Sequence, residues 1–120
     1  MPHILFADDD DDIRTLVSMA LEGQPDLRLT ACADAASAQE AFLRDRPDLV
    51  VLDLNLPDLP GDRLLSALAA QPGPTPPIVF LTADAQDAEV ARLMARGAVG
   101  VIAKPFDVLA LPDRLRGYIP

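Results

Sequence analysis

The chain has 120 residues, half of them hydrophobic and about a quarter charged, which suits one globular domain spanning residues 1–120. A net charge of −9 argues against nucleic acid as a direct partner, since a phosphate backbone calls for clustered Lys and Arg, and the single cysteine, Cys32, excludes an internal disulfide or a Cys-based zinc site. No apolar run is long enough to cross a membrane and the first residues lack the features of a signal peptide, so a cytoplasmic protein with no membrane contact and no room for an output domain is expected.

In chain order, residues 4–7 (Ile4-Leu5-Phe6-Ala7) form a short apolar run that reads as an interior strand and leads into five consecutive aspartates, Asp8 to Asp12. Helical spacing begins at Ile13, with Leu16, Val17, Ala20 and Leu21 on the same face and Gly23 as the stop. The last aspartates, Asp11 and Asp12, are expected to cap that helix and favour its positive end. Asp8 and Asp9 belong instead to the strand end. His3 has no evident partner and reads as an early strand residue.

Residues 27–33 carry Leu27, Leu29, Ala31 and Ala33 in alternation, as a second strand near a sheet edge would, with Cys32 as a small core residue. Residues 35–44 read as an alanine-rich helix burying Ala38, Ala41 and Phe42, and Pro47 closes the connection to a strand at 49–52. That third strand is apolar until it meets Asp53, after which Leu54-Asn55-Leu56-Pro57 and Gly61 mark a loop. Helical spacing returns at 61–70, with Leu64, Leu65 and Leu68 inward.

The segment 71–77, with four prolines and a glycine, is a stiff loop. Residues 78–81 make a buried strand ending at Thr82-Ala83. A helix follows at 87–96, with Val90, Leu93 and Met94 on one side and Gly97 as its stop. A fifth strand at 99–103 ends at Lys104-Pro105. A final amphipathic helix spans 109–119, where Pro112 is tolerated only in the first turn.

Strand and helix therefore alternate five times through short connections, which predicts an α/β fold with a parallel sheet covered by helices on both faces. Near-continuous apolar strands agree with burial on both sides. In such a sheet all strands open on one edge, where ligands bind. Asp8 and Asp9, Asp53, Thr82 and Lys104 should meet there. Converging carboxylates raise one another's pKa unless a cation neutralises them, and all-oxygen donors without His or Cys suit Mg²⁺. A carboxylate nucleophile, an ammonium and a hydroxyl beside that cation supply what phosphoryl transfer to aspartate requires. Taken singly, Lys104 suits a surface lysine, Thr82 a strand residue and the aspartates a solvated cap; four strand ends supplying complementary groups together argue for a site.

Over its whole length the chain resembles the receiver domains of two-component response regulators. The matching residues are Asp8-Asp9 after the first strand, Asp53 in Leu-Asp-Leu-Asn-Leu-Pro with Gly61 following, Thr82-Ala83 after the fourth, and Lys104-Pro105-Phe106 after the fifth. The resemblance implies a flavodoxin-like (βα)5 fold of strand order 2-1-3-4-5 and a phosphorelay role in which Asp53 accepts phosphate from a histidine kinase or phosphotransfer protein. It further implies Mg²⁺ held by Asp9, Asp53 and the Asn55 carbonyl, with Asp8 acting partly through water. Thr82 and Lys104 would contact the phosphoryl group, and the small Ala83 would leave room for it.

The chain departs from the family at Val101, three residues before Lys104, where Tyr or Phe commonly serves as a rotameric switch. Valine cannot swing as a ring does, so phosphorylation is expected to move segment 83–87 more than Val101. Two other classes compete. A small Mg²⁺-dependent aspartyl phosphatase would need a cap for which the chain has no spare residues, and a phosphate-independent pseudo-receiver is at odds with the intact set Asp8, Asp9, Asp53, Thr82 and Lys104. The expected protein is thus a stand-alone receiver that switches a protein partner and catalyses only its own phosphorylation and dephosphorylation.

Overall fold

Strands apolar on both faces cannot leave either face to water, and this dictates a sheet between two helical layers. A computed structural model describes residues 1–120. In order it contains β1 (His3–Ala7), α1 (Asp11–Glu22), β2 (Arg28–Cys32), α2 (Ala35–Arg44), β3 (Leu49–Leu52), α3 (Gly61–Ala69), β4 (Ile78–Thr82), α4 (Asp87–Ala95), β5 (Gly100–Ala103) and α5 (Leu111–Arg116). All neighbouring strands pair in parallel, in the order β2-β1-β3-β4-β5. The flavodoxin-like (βα)5 expectation holds.

Alternation along the strands divides the core in two. Leu5, Val50, Leu52, Ile78 and Phe80 point toward α2, α3 and α4, meeting Phe42, Leu64, Leu68 and Leu93. Ile4, Phe6, Val51, Leu81 and Ile102 point the other way, onto Val17 and Leu21 of α1 and Leu111 and Leu115 of α5. Each fully buried Leu or Phe contributes roughly 1.5–3 kcal/mol by leaving water, so these two layers, and no staple, hold the sheet in place. No helix is long and apolar enough to cross a membrane.

Several expectations are corrected. The cap of α1 is Asp10, whose carboxylate accepts from the Asp12 N–H (2.8 Å) and the Ile13 N–H (3.3 Å), so Asp11 and Asp12 occupy the first turn. Leu16 is exposed, because it lies roughly a quarter-turn round the helix from the stripe of Val17 and Leu21. β2 ends at Cys32; Cys32 is buried but Ala31 and Ala33 are exposed, since an edge strand has cover over only part of each face. In α4 only Leu93 is buried, with Val90 partly covered and Met94 exposed. α5 is shorter than predicted: Leu109 lies before it in water, and Pro112 sits in its first turn as expected.

His3 also differs from expectation, being only 2% exposed and well partnered. Its Nε2 lies 2.7 Å from Thr30 Oγ1, and its backbone N–H donates to Asp48 Oδ2 at 2.8 Å. Nδ1 makes no hydrogen bond and stands 3.9 Å from Asp45 Oδ2. These partners are 27 to 45 residues away along the chain, beyond the reach of any local pattern.

Candidate functional site

The candidate residues stand at or just past the ends of strands, and the backbones of Asp8, Asp53 and Lys104 are tied to a neighbouring strand one step past the ladder. The Asp8 N–H donates to the Cys32 carbonyl (3.0 Å), the Asp53 N–H to the Ala7 carbonyl (2.9 Å) and the Lys104 N–H to the Thr82 carbonyl (2.8 Å). Parallel pairing therefore aligns the carboxyl ends of β1, β3, β4 and β5 along one rim.

On that rim Asp8, Asp9 and Asp53 each place a carboxylate oxygen within 4.8 Å of the others. Asp8 and Asp53 are buried, while Asp9 is exposed. Lys104 reaches in from β5, its Nζ donating to Asp8 Oδ2 at 2.7 Å and lying 3.6 Å from Asp53 Oδ1. Asp8 is held further by the Asp10 N–H, which donates to Oδ1 at 2.9 Å, while Arg14 Nη1 donates to the Asp8 carbonyl at 2.8 Å.

Three carboxylates face a single ammonium, which leaves the cluster short of positive charge. The consequence falls on Asp53. Burial pushes its carboxyl above the usual range and the neighbouring Asp8 charge adds to this, while Lys104 and the Asn55 N–H pull it back. An all-oxygen donor set with this excess of negative charge fits a hard divalent cation, which relieves the repulsion without needing a soft ligand. Asp8, Asp9 and Asp53 are the side chains that could hold one.

Thr82 is buried at the end of β4, and its Oγ1 accepts from the Asp84 N–H at 3.1 Å. Thr82, Ala83, Asn55 and Asp84 line one open cleft, to which Arg92 of α4 also contributes. All seven predicted site residues thus lie at the same end of the molecule: Asp8, Asp9, Asp53 and Lys104 in close array, Asn55, Thr82 and Ala83 along that cleft. Val101 is half-buried and packs against the core beneath α2, α3 and α4.

Gly61 shapes the site through close approach. Its N–H donates to the Leu54 carbonyl at 2.8 Å, and a Cβ there would overlap the Asp53 carbonyl oxygen. Sequence reasoning missed Asp10 and Arg14 around Asp8, Asp84 beside Thr82, and Asp58. An Asp three residues before the start of the apolar stripe was an available sign for Asp10. Asp58 bonds to residues 22 and 23 positions away and had no such sign.

The sequence matches the family described as response regulator receiver domain over residues 4–116. Among curated relatives it is 37% identical to a transcriptional regulatory protein, CseB, of Streptomyces coelicolor, over 98% of this chain and 49% of that protein. It is 38% identical to a probable transcriptional regulatory protein, TcrX, of Mycobacterium tuberculosis, over 97% and 49%. It is 36% identical to a protein-glutamate methylesterase/protein-glutamine glutaminase of Shewanella oneidensis, over 88% and 30%. The chain thus spans about half the length of the first two and less of the third. Among solved structures, the chemotaxis response regulator CheY4 of Vibrio cholerae superposes with a TM-score of 0.89 at 28% identity over 99% of both chains. The BeF3-activated receiver domain of RstA from Klebsiella pneumoniae superposes at 0.84 with 33% identity over 97% of both.

Proposed function

The chain belongs to the response regulator receiver domain family, and from that premise we propose that it carries a signal as a phosphoryl group on Asp53. The observation that supports this most is the array at the rim: three carboxylates within 4.8 Å of one another and Lys104 2.7 Å from Asp8 and 3.6 Å from Asp53. The donor in this reading is a phosphohistidine of a histidine kinase or phosphotransfer protein. An Asp53 carboxylate oxygen forms the new P–O bond as the bond from phosphorus to the donor nitrogen breaks, giving an acyl phosphate.

Each residue has a defined part. Lys104, released from Asp8 and Asp53 as charge arrives on the phosphoryl oxygens, supplies the positive side chain, and the Thr82 hydroxyl supplies a hydrogen bond. Ala83, with only a methyl, leaves space. Asp9, Asp53 and the Asn55 carbonyl would hold Mg²⁺, with Asp8 acting partly through water; when bound, the ion neutralises the acidic cluster and the incoming oxygens. The modified domain then switches a protein partner, acting in the cytoplasm. Relatives named as transcriptional regulators and as a methylesterase share a matching segment, which supports a signalling part separable from any one output.

The test is incubation with a small acyl phosphate and Mg²⁺ followed by intact mass. One added phosphoryl group, absent in Asp53→Asn, is the expected result. An unmodified chain would favour a binding module, and steady turnover of unrelated phosphate esters an enzyme; either would overturn the proposal.

A further inference from the structure

The loop of residues 54–60 carries Asn55 from β3 to α3, yet no backbone-to-backbone hydrogen bond ties residues 55–59 to the rest of the molecule. Two of its positions, Pro57 and Pro60, have no N–H to offer. The loop closes on itself where the Gly61 N–H meets the Leu54 carbonyl, and Leu56 is its buried apolar anchor. Its polar anchor is Asp58. One carboxylate oxygen accepts from the Ala35 N–H at 2.8 Å and the other from the Ala36 N–H at 2.9 Å.

Those amides belong to the first two residues of α2, whose own cap, Asp34, accepts from the N–H of Ser37 at 2.8 Å and from the Ser37 hydroxyl, and from neither of the first two amides. The open donors of this helix end are thus shared between a carboxylate of its own and one from the loop beside the acceptor. α2 is a firm mount, because Ala38, Ala41 and Phe42 bury its inner face against the sheet. We propose that Asp58 is a positioning residue that clamps the loop to the start of α2 and so presets Asn55 for the metal ion. This rests on the Mg²⁺ site proposed above. A loop already ordered by the clamp loses less conformational freedom when the ion binds, and outer partners of metal ligands typically carry a 10–100-fold share of affinity.

Calorimetric titration with Mg²⁺ and amide exchange of the metal-free protein test this in the full chain and three variants. In Asp58→Ala, Mg²⁺ affinity is expected to fall about tenfold and exchange in residues 54–60 to rise. Asp58→Asn, which keeps one oxygen acceptor, should lie between. Asp34→Ala should lower thermal stability with wild-type affinity. Wild-type affinity and loop protection in Asp58→Ala would overturn the inference, as would an equal loss in Asp34→Ala, which would assign the effect to helix capping. A wild-type chain that takes up no Mg²⁺ would instead sink the metal reading, while exchange in the metal-free loop would still decide whether Asp58 clamps it.

Discussion

At Gly61 the backbone of α3 approaches the acceptor so closely that no side chain fits: a Cβ would overlap the Asp53 carbonyl oxygen and press on Leu54 Cα at 3.0 Å. Neither neighbour is a flexible side chain that can turn aside. Gly61→Ala is therefore expected to cost roughly 1–3 kcal/mol, read as a lower urea midpoint, and to slow modification of Asp53 by shifting its carbonyl. A second residue sets a pH dependence. Burial, and after it the Arg28 charge, lowers the His3 pKa below 6.5 against the opposing pull of Asp45 and Asp48. The folded form thus resists a proton that the unfolded chain accepts, so this stability is whole above pH 6.5 and is lost as pH falls through the window down to the folded value. His3→Gln can still bond to Thr30 and should flatten urea midpoint against pH in that window; an unchanged slope would count against it. The sequence placed Gly61 correctly as a loop marker but could not show what it touches. It missed the surroundings of His3 because Thr30, Arg28, Asp45 and Asp48 arrive through β2 and the two ends of the α2–β3 connection.

Among the helices, α4 is the one most lightly attached. It buries only Leu93, and Gln86 gives its start no side-chain cap. Beyond the half-buried Val90, its ties to α3 are ion pairs at the surface: Arg92 pairs with Asp62 at 3.0 Å, and Arg96, just past the helix end, lies 3.7 Å from Asp62. Exposed pairs of this kind contribute about 0.2–1 kcal/mol each, which a rearrangement can exchange at little cost. Val101, by contrast, is a β-branched residue wedged in a strand. Loading the protein with a beryllofluoride phosphoryl mimic should therefore shift the amide resonances of residues 83–87 and of α4 more than those of Val101 and its neighbours in β5. Strong perturbation confined to β5 would show that the read-out runs another way. The inward faces of α2 and α3 were legible because a covered face must be continuously apolar. The exposure of Met94 was not, since periodicity says which residues share a face but not whether anything packs against it.

For the molecule as a whole, a charge of −9 makes the unrelieved carboxylates at the rim costly, and a cation that binds only the folded chain should stabilise it by mass action. At a hundredfold excess over Kd the gain is about 2.7 kcal/mol. The unfolding temperature should therefore climb with Mg²⁺ concentration and much less with sodium chloride of equal ionic strength, and Asp9→Asn should remove most of the Mg²⁺-specific rise. Equal responses to the two salts would exclude a specific site. The order of strands and helices, their parallel pairing and the side of the sheet to which Asp8, Asp53, Thr82 and Lys104 belong were determined by the sequence alone. Apolar period and turn residues are local, and every parallel strand must end on the same edge. Only the tertiary structure decided that Lys104 sits closer to Asp8, at 2.7 Å, than to Asp53, at 3.6 Å, that Asp58 reaches the amides of α2 and that α4 fully buries a single leucine. Such pairings arise where crossovers bring distant segments to within a few ångströms, and no local pattern encodes the packing that sets those distances.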